Sequence, residues 1–502
     1  MRCMTFLAVA LLLPGSLSCS GSAGSRDAAS GDSQADVRTA ADASQDSNPD
    51  TDLWPDGSPA DARTTDAVPE AVTPPPEPDH AVCGKAPHSW RPSDQVGKIV
   101  SSTEAVLSFL TPEMIDETMK AAGEDRLTPV PCGVRNILFR YTTQDRGVPV
   151  EATGILGVPL CDDDSGPRPV VLWLHGTTGF MDKCAPSASA FDGPAQTSVI
   201  SSQGYISVAP DYIGMLGFGD PSPEGTIHPY LVGEAAAVGS WDAVRAALEL
   251  LAEDPELPDG DPDRIAVWGA SQGGHAAFFT QLYQPYYAPE LHVRLVVAAV
   301  PAATVLGEAQ AAMTTLCEGS AALSAAFVAM ARWYGAMDQL PEVFTNQDPT
   351  FIAKNLPQAM AGGCDAPKVF ESVDELTDAY QPDFLAAASA GLWDQLDPWG
   401  CFLEENSVQT TSVEQLDDVP YLATFGEKDQ LVNTQVELEA VQSLCTAGYR
   451  IETVLCADAD HAQGGVQPIP YMFDWTRDRL DGKPWPAASV CAIPAPQDCT
   501  KQ

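Results

Sequence analysis

The stretch Arg264-Ile265-Ala266-Val267-Trp268-Gly269-Ala270-Ser271-Gln272-Gly273-Gly274 decides the fold. Arg264–Trp268 is an apolar run of strand length, and the residues from Gly274 to Tyr283 have helical character. Between them stands G-x-S-x-G, the pattern of a strand that turns sharply into a helix and holds a serine exposed at the tip. The turn is so tight that the residues two before and two after the serine must be small, which Gly269 and Gly273 satisfy. As a bare pattern this is weak. The strand on one side and the helix on the other turn it into evidence.

Outward from this point, short apolar runs alternate with helical stretches. Candidate strands are Asn136–Tyr141, Glu151–Val158, Pro169–Leu174, Tyr205–Ala209, Arg264–Trp268, Arg294–Val300, Tyr421–Phe425 and Arg450–Leu455. Several are almost uniformly apolar, as parallel strands covered on both faces are. Helix candidates lie at Ser187–Ser202, Leu231–Ala252 and Gly274–Tyr283. The alternation predicts a doubly wound α/β sheet. The first two strands have no helix between them and predict an antiparallel start. Between Val300 and Val419 no strand is convincing. Helical runs such as Ala321–Met337 and Val373–Trp393 mark a helical insertion there, since a structureless loop of that length is implausible.

A serine hydroxyl is a poor nucleophile until a histidine takes its proton and a carboxylate orients that histidine. On an elbow of this kind the partners follow in the order acid, then His. Of seven histidines, His80, His88, His175 and His228 precede Ser271. His275 lies on the helix just after it, and His292 precedes the next strand. Only His461 follows the late strands, in a Gly-rich loop. The acid belongs in the loop after Tyr421–Phe425, where Asp429 is the choice and Glu427 the weaker candidate. Asp458 and Asp460 compete from the histidine's own loop. Acyl transfer also needs donors for the developing oxyanion. These are assigned to the backbone N–H of Gln272 and that of Thr177, in the loop His175-Gly176-Thr177-Thr178-Gly179. His175 is expected to brace that loop. The scheme needs no metal and no organic cofactor.

Val170–Gly179, Val208–Gly214, His228-Pro229-Tyr230, Gly269–Gly274 and Trp475–Pro484 together resemble the secretory-lipase family of α/β-hydrolases, the type related to fungal lipase A. The resemblance spans roughly residues 130–485. It implies the α/β-hydrolase fold, with the insertion at about 303–415 as a helical lid. It also implies that Phe327, Met330, Trp333 and Tyr334 either shape an acyl pocket or form the lid's core. Asp211 is expected to anchor a turn. The function expected is hydrolysis of carboxylic esters through an acyl-enzyme, as a lipase or esterase. The alternatives are a serine peptidase of the same fold and a non-catalytic surface binding protein.

Composition bounds the rest. The 502-residue chain carries a formal charge of −43, which excludes a phosphate-binding surface of clustered Lys and Arg, and with it nucleic acid as a partner. Residues 1–18 read as a signal peptide, its apolar run from Phe6 to Leu13 too short to span a bilayer. Cys19 resembles the lipid-acceptor cysteine of bacterial lipoproteins, so the only membrane association expected is an N-terminal anchor on the cell envelope. Residues 19–80, rich in Ala, Ser, Asp and Pro, are expected to form a disordered stalk, because they cannot bury enough surface to offset the entropy of ordering. The segment 81–502 is then the folded domain. Beyond Cys3 and Cys19, eleven cysteines are scattered singly, as in exported disulfide-bonded proteins, and an odd number leaves at least one unpaired within the chain. Proximity suggests Cys491 with Cys499 and Cys445 with Cys456.

Overall fold

Nine strands form one sheet in the computed structural model, which describes residues 75–501 except 85–86, 124, 164–165, 318, 346–359, 361–363 and 365–372. The expected signal peptide, Cys19 and the stalk as far as residue 74 lie outside the described residues. The strands are β1 (Ile99–Leu110), β2 (Gly133–Asp145), β3 (Val148–Leu160), β4 (Arg168–Leu174), β5 (Ile206–Pro210), β6 (Gly260–Ala270), β7 (Val293–Ala299), β8 (Pro420–Gly426) and β9 (Arg450–Cys456). Their order is β1-β2-β3-β5-β4-β6-β7-β8-β9. β1, β2, β3 and β5 pair antiparallel, and β5, β4 and β6 through β9 pair parallel. β2 and β3 join through Arg146 and Gly147, both at positive φ (50° and 75°). That two-residue turn matches the twist of the strands it connects.

Helices cover both faces. α1 (Pro112–Ala122) precedes β2, followed in the chain by α2 (Asp192–Ser201), α3 (Gly233–Glu253) and α4 (Gln272–Tyr287). The pleat divides β6 cleanly. Ile265 and Val267 face one core with Trp241 of α3 and Phe278 of α4. Ala266 and Trp268 face the other, with Val199 and Ile200 of α2 and with Met472 and Phe473. All four strand residues are buried, as expected of a strand covered on both sides.

Between β7 and β8 the helical insertion is present. Its main described helices are α5 (Val305–Ala312), α6 (Gly319–Tyr334), α7 (Pro382–Ser389) and α8 (Trp399–Glu405). The run Val373–Trp393 is broken rather than one helix: Leu376–Ala379 is a single turn, and Pro382 starts α7 afresh. The chain closes with α9 (Thr434–Thr446), α10 (His461–Val466) and α11 (Ile469–Leu480).

Two sequence expectations change here. The pairings suggested by proximity give way to Cys445–Cys491 and Cys456–Cys499, because β9 and α9 each hold one of the nearby pair while the C-terminal tail returns to both. Cys83–Cys401, Cys132–Cys161 and Cys184–Cys364 complete five bridges, and Cys317 is free and exposed, the odd cysteine expected. The folded chain also takes in residues given to the stalk. His80 is buried, with Nε2 2.8 Å from Glu77 Oε1.

Candidate active site

Three loops at the carboxyl ends of β6, β8 and β9 meet. Ser271 follows β6 at φ 56° and ψ −117°, a strained backbone for a residue with a side chain. The flanking glycines are required by contact. A Cβ on Gly269 would lie 1.9 Å from the Gly273 carbonyl oxygen, and one on Gly273 would lie 1.9 Å from that of Leu174. Ser271 N–H donates to Ala299 O of β7 at 2.9 Å, which pins the elbow to its neighbouring strand.

Asp429 lies three residues beyond β8. Its Oδ1 accepts the N–H groups of Leu431 and Val432, both at 3.0 Å, so the carboxylate is held by its own loop. Its Oδ2 is 2.5 Å from His461 Nδ1, and His461 Nε2 is 2.9 Å from Ser271 Oγ. All three residues are buried. His461 opens α10, which Asp460 caps by accepting the Gln463 N–H at 2.9 Å. The Gly-rich sequence after it has a steric reason, since a Cβ on Gly464 would lie 2.4 Å from Gly426 N. The competing acids are engaged elsewhere: Glu427 accepts the Asp458 N–H at 2.8 Å, Asp458 pairs with Lys428, and Asp460 is the helix cap.

Gln272 is the first residue of α4, so its N–H has no partner within the helix and points along the positive end of the helix dipole. Neither it nor the Thr177 N–H has an acceptor among the described residues. The side chains of both are held by one segment, His228-Pro229-Tyr230. Thr177 Oγ1 is 3.0 Å from Tyr230 Oη. The Gln272 amide donates to His228 Nε2 at 2.6 Å, while His228 Nδ1–H donates to Ile213 O at 3.0 Å. Burial keeps that imidazole neutral, its pKa lowered to about 3. Sequence reasoning quoted this tripeptide only as a family motif. Its role depends on two contacts far apart in sequence, which no local pattern signals.

His175, His275 and Asp211 are structural. His175 Nδ1–H donates to Gly176 O at 2.6 Å and braces the loop, as expected. His275 Nε2–H donates to Asn406 O at 2.9 Å, fixing the end of the lid. Burial lowers both to about 4. Asp211 anchors its turn by accepting Thr153 Oγ1 at 2.6 Å and Ser187 N at 2.9 Å, and burial raises it to about 6. The lid aromatics resolve in favour of core. Phe327 packs against Phe344, Phe384 and Trp399, Tyr334 stacks on Phe402, and Met330 is fully buried among them. Trp333 lies beneath the Arg146 guanidinium. This lid core runs on to Phe180, Ile227 and Tyr230, so it reaches the segment that holds Thr177.

Comparison with known proteins bears on the family and the fold. The model of the family described as Secretory lipase matches residues 195–487, more than half of the chain. Lipase 5 of Candida albicans is 26% identical over 322 residues, 60% of this chain and 62% of that protein. The chain therefore spans somewhat under two thirds of that relative. The secreted triacylglycerol lipase LIP4 of Malassezia furfur is 25% identical over 285 residues, 54% of this chain and 49% of its own. Among solved structures, the rice cell wall degrading esterase LipA from Xanthomonas oryzae superposes with a TM-score of 0.60 at 22% identity, covering 77% of this chain and 97% of that one. Candida antarctica lipase A in its closed state gives 0.55 at 16% identity, covering 82% and 90%. These likenesses show the α/β-hydrolase fold. The family match runs from α2 through the elbow, the lid and both later loops to the end of α11, and the chain belongs to the secretory lipase family.

Proposed function

We propose that this chain is an exported carboxylic ester hydrolase that works through an acyl-enzyme on Ser271. The observation that carries the reading is the unbroken relay from Ser271 Oγ to His461 Nε2 at 2.9 Å and from His461 Nδ1 to Asp429 Oδ2 at 2.5 Å. In it, Ser271 Oγ attacks the ester carbonyl as His461 Nε2 takes its proton. Asp429 holds the imidazolium that results. The tetrahedral oxyanion sits against the Thr177 and Gln272 N–H groups, each such donor worth about 2.7–4 kcal/mol in the transition state. Collapse expels the alcohol, which receives the proton from His461. Water then repeats the sequence on the acyl-enzyme and releases the carboxylic acid.

The surroundings of Ser271 support a class of substrate. The serine is buried, and the aliphatic and aromatic core of the lid reaches Phe180, Ile227 and Tyr230, beside the loop that carries Thr177. Such a site favours an ester with an apolar acyl chain, and a lipid ester is the substrate proposed. Export would remove residues 1–18 and leave Cys19 to carry a lipid anchor, with residues 20–74 as the tether. Two or three acyl chains would hold the protein firmly on a membrane where one would not. No helix among the described residues is long and apolar enough to cross a bilayer.

The test is hydrolysis of p-nitrophenyl esters from acetate to palmitate by the purified protein beside Ser271→Ala. Activity that rises with acyl length and falls by about 10⁶-fold in kcat in the variant is expected. A folded protein inert toward every ester would remove the reading.

A further inference from the structure

A second convergence of titratable side chains shares no residue with the triad. It lies where the strap formed by residues 75–84 and 87–91 crosses the first turn of α3. His80 Nδ1 is 3.2 Å from Glu234 Oε1, and His88 Nε2 is 2.7 Å from the same oxygen. The two imidazoles stack, with centroids 4.1 Å apart and planes at 27°. One nitrogen of each and one carboxylate oxygen lie within 4.8 Å of one another. His80 and Glu234 are buried, and the His88 side chain is only 9% exposed.

We propose that His80, His88 and Glu234 bind a zinc ion that fastens the strap to α3. Two imidazole nitrogens and a carboxylate oxygen are a donor set that zinc favours, at about 2.0–2.2 Å each. Ligand atoms on a tetrahedron of that radius stand about 3.4 Å apart; the two nitrogens lie 3.2 and 2.7 Å from the Glu234 oxygen, so small outward side-chain rotations complete the site. Water takes the fourth position.

The surroundings match as well. His80 turns its other nitrogen to Glu77, with Nε2 to Oε1 at 2.8 Å, the arrangement in which an outer carboxylate fixes the ring of a metal-bound histidine. Trp90 secures both carboxylates, its indole N–H donating to Glu234 Oε1 at 3.1 Å and its backbone N–H to Glu77 Oε1 at 2.6 Å. A proton on His80, which is bonded to both Glu77 and Glu234, is the competing occupant.

The location gives the ion its task. Cys83, bridged to Cys401 of α8, lies between the two histidines in sequence. Disulfide and metal together would tie the strap to the lid and to α3 at neighbouring points. The site departs from the sequence expectation of no metal, which considered cysteine patterns and the chemistry of the triad. It holds two histidines eight residues apart and a glutamate 146 residues beyond the second, a spacing with no signature.

The test uses the purified protein without a histidine tag, stripped with EDTA, dialysed and then titrated with zinc. Expected are one zinc per chain by elemental analysis, a higher melting temperature with zinc, and a four-coordinate visible spectrum when cobalt is substituted. His88→Gln and Glu234→Gln should each weaken zinc binding by about 100-fold or more, and Glu77→Gln by about 10- to 100-fold. His88 is the most exposed of the three ligands, so His88→Gln, verified as folded by circular dichroism, keeps the test valid if Glu234→Gln does not fold. Failure of the native protein to take up stoichiometric zinc, or equal binding by folded His88→Gln, overturns the proposal. Metal content is read independently of ester hydrolysis, so this result and that of the esterase assay do not depend on each other.

Discussion

At the residue scale, the relay through His461 depends on which nitrogen carries the proton, and Asp429 sets this. Its Oδ2 can only accept, so it draws the proton to Nδ1 and leaves the Nε2 lone pair facing Ser271 Oγ. Asparagine at 429 keeps the shape, and its carbonyl can still receive the Leu431 and Val432 N–H groups. Its amide donor then faces Nδ1 and reverses the tautomer. Asp429→Asn is expected to lower kcat by roughly 10⁴-fold with the fold intact. Glu427→Gln, whose carboxylate is occupied by the Asp458 N–H, is expected to stay within a few-fold of the native rate. Ester kinetics on the two variants test the choice of acid, and the reverse ranking would move the role to Glu427.

At the scale of elements, the loop after β4 and the lid are joined covalently. The loop that carries Thr177 runs on to Cys184, which is bonded to Cys364 across 180 residues. A bridge that closes so long a loop restricts the unfolded chain strongly, and its removal is expected to cost about 2–5 kcal/mol. Replacing both cysteines with serine should shift the urea midpoint accordingly, whereas replacing the free, exposed Cys317 should leave it unchanged. β1 shows why some elements escape a sequence reading. Ile99–Leu110 is an edge strand exposed over most of its length, with Ser101-Ser102-Thr103-Glu104 where an apolar run would have marked it. It exists because β2 offers a paired edge. Proximity misled the disulfide reading for a related reason, since the tail beyond α11 folds back along β9, with Val490 bridging Glu452 and Gln497 bridging Cys456.

Across the whole molecule, acidity reaches the interior, and at the junction of α5 with α9 two carboxyls meet. Glu308 of α5 accepts the Asn433 N–H with both oxygens, at 3.0 and 3.1 Å. Glu437 of α9 accepts the Ala303 and Thr304 N–H groups at 3.0 and 3.2 Å. Burial raises both carboxyls above their usual range, the neighbouring Glu308 raises Glu437 further, and Asp429 adds to the effect on Glu308. The pair therefore holds protons in the fold that the unfolded chain has already released. Its contribution to stability is complete below the ordinary carboxylate range and is lost as pH rises from there toward about 8, the value for Glu308. Glu308→Gln keeps an acceptor for Asn433 and removes one charge. Its melting temperature should exceed that of the native protein at about pH 9 and approach it at about pH 5. A difference that does not change with pH would show that the pair is not protonated in the fold.

What the sequence determined by itself was whatever short-range sterics and periodicity encode. Apolar runs gave eight of the nine strands, because buried parallel strands have no polar face to interrupt them. The elbow glycines and the Gly-rich segment after His461 announced close backbone approaches, and the chain order Ser, acid, His singled out residues that the structure brings within hydrogen-bonding distance. Tertiary structure alone decided the disulfide partners, the lid core around Phe327, the grip of His228 and Tyr230 on the loop and the helix start, and the meeting of His80 and His88 with Glu234. Each is a contact between segments far apart in the chain, fixed by how helices and tail pack on the finished sheet, and no local pattern carries that information.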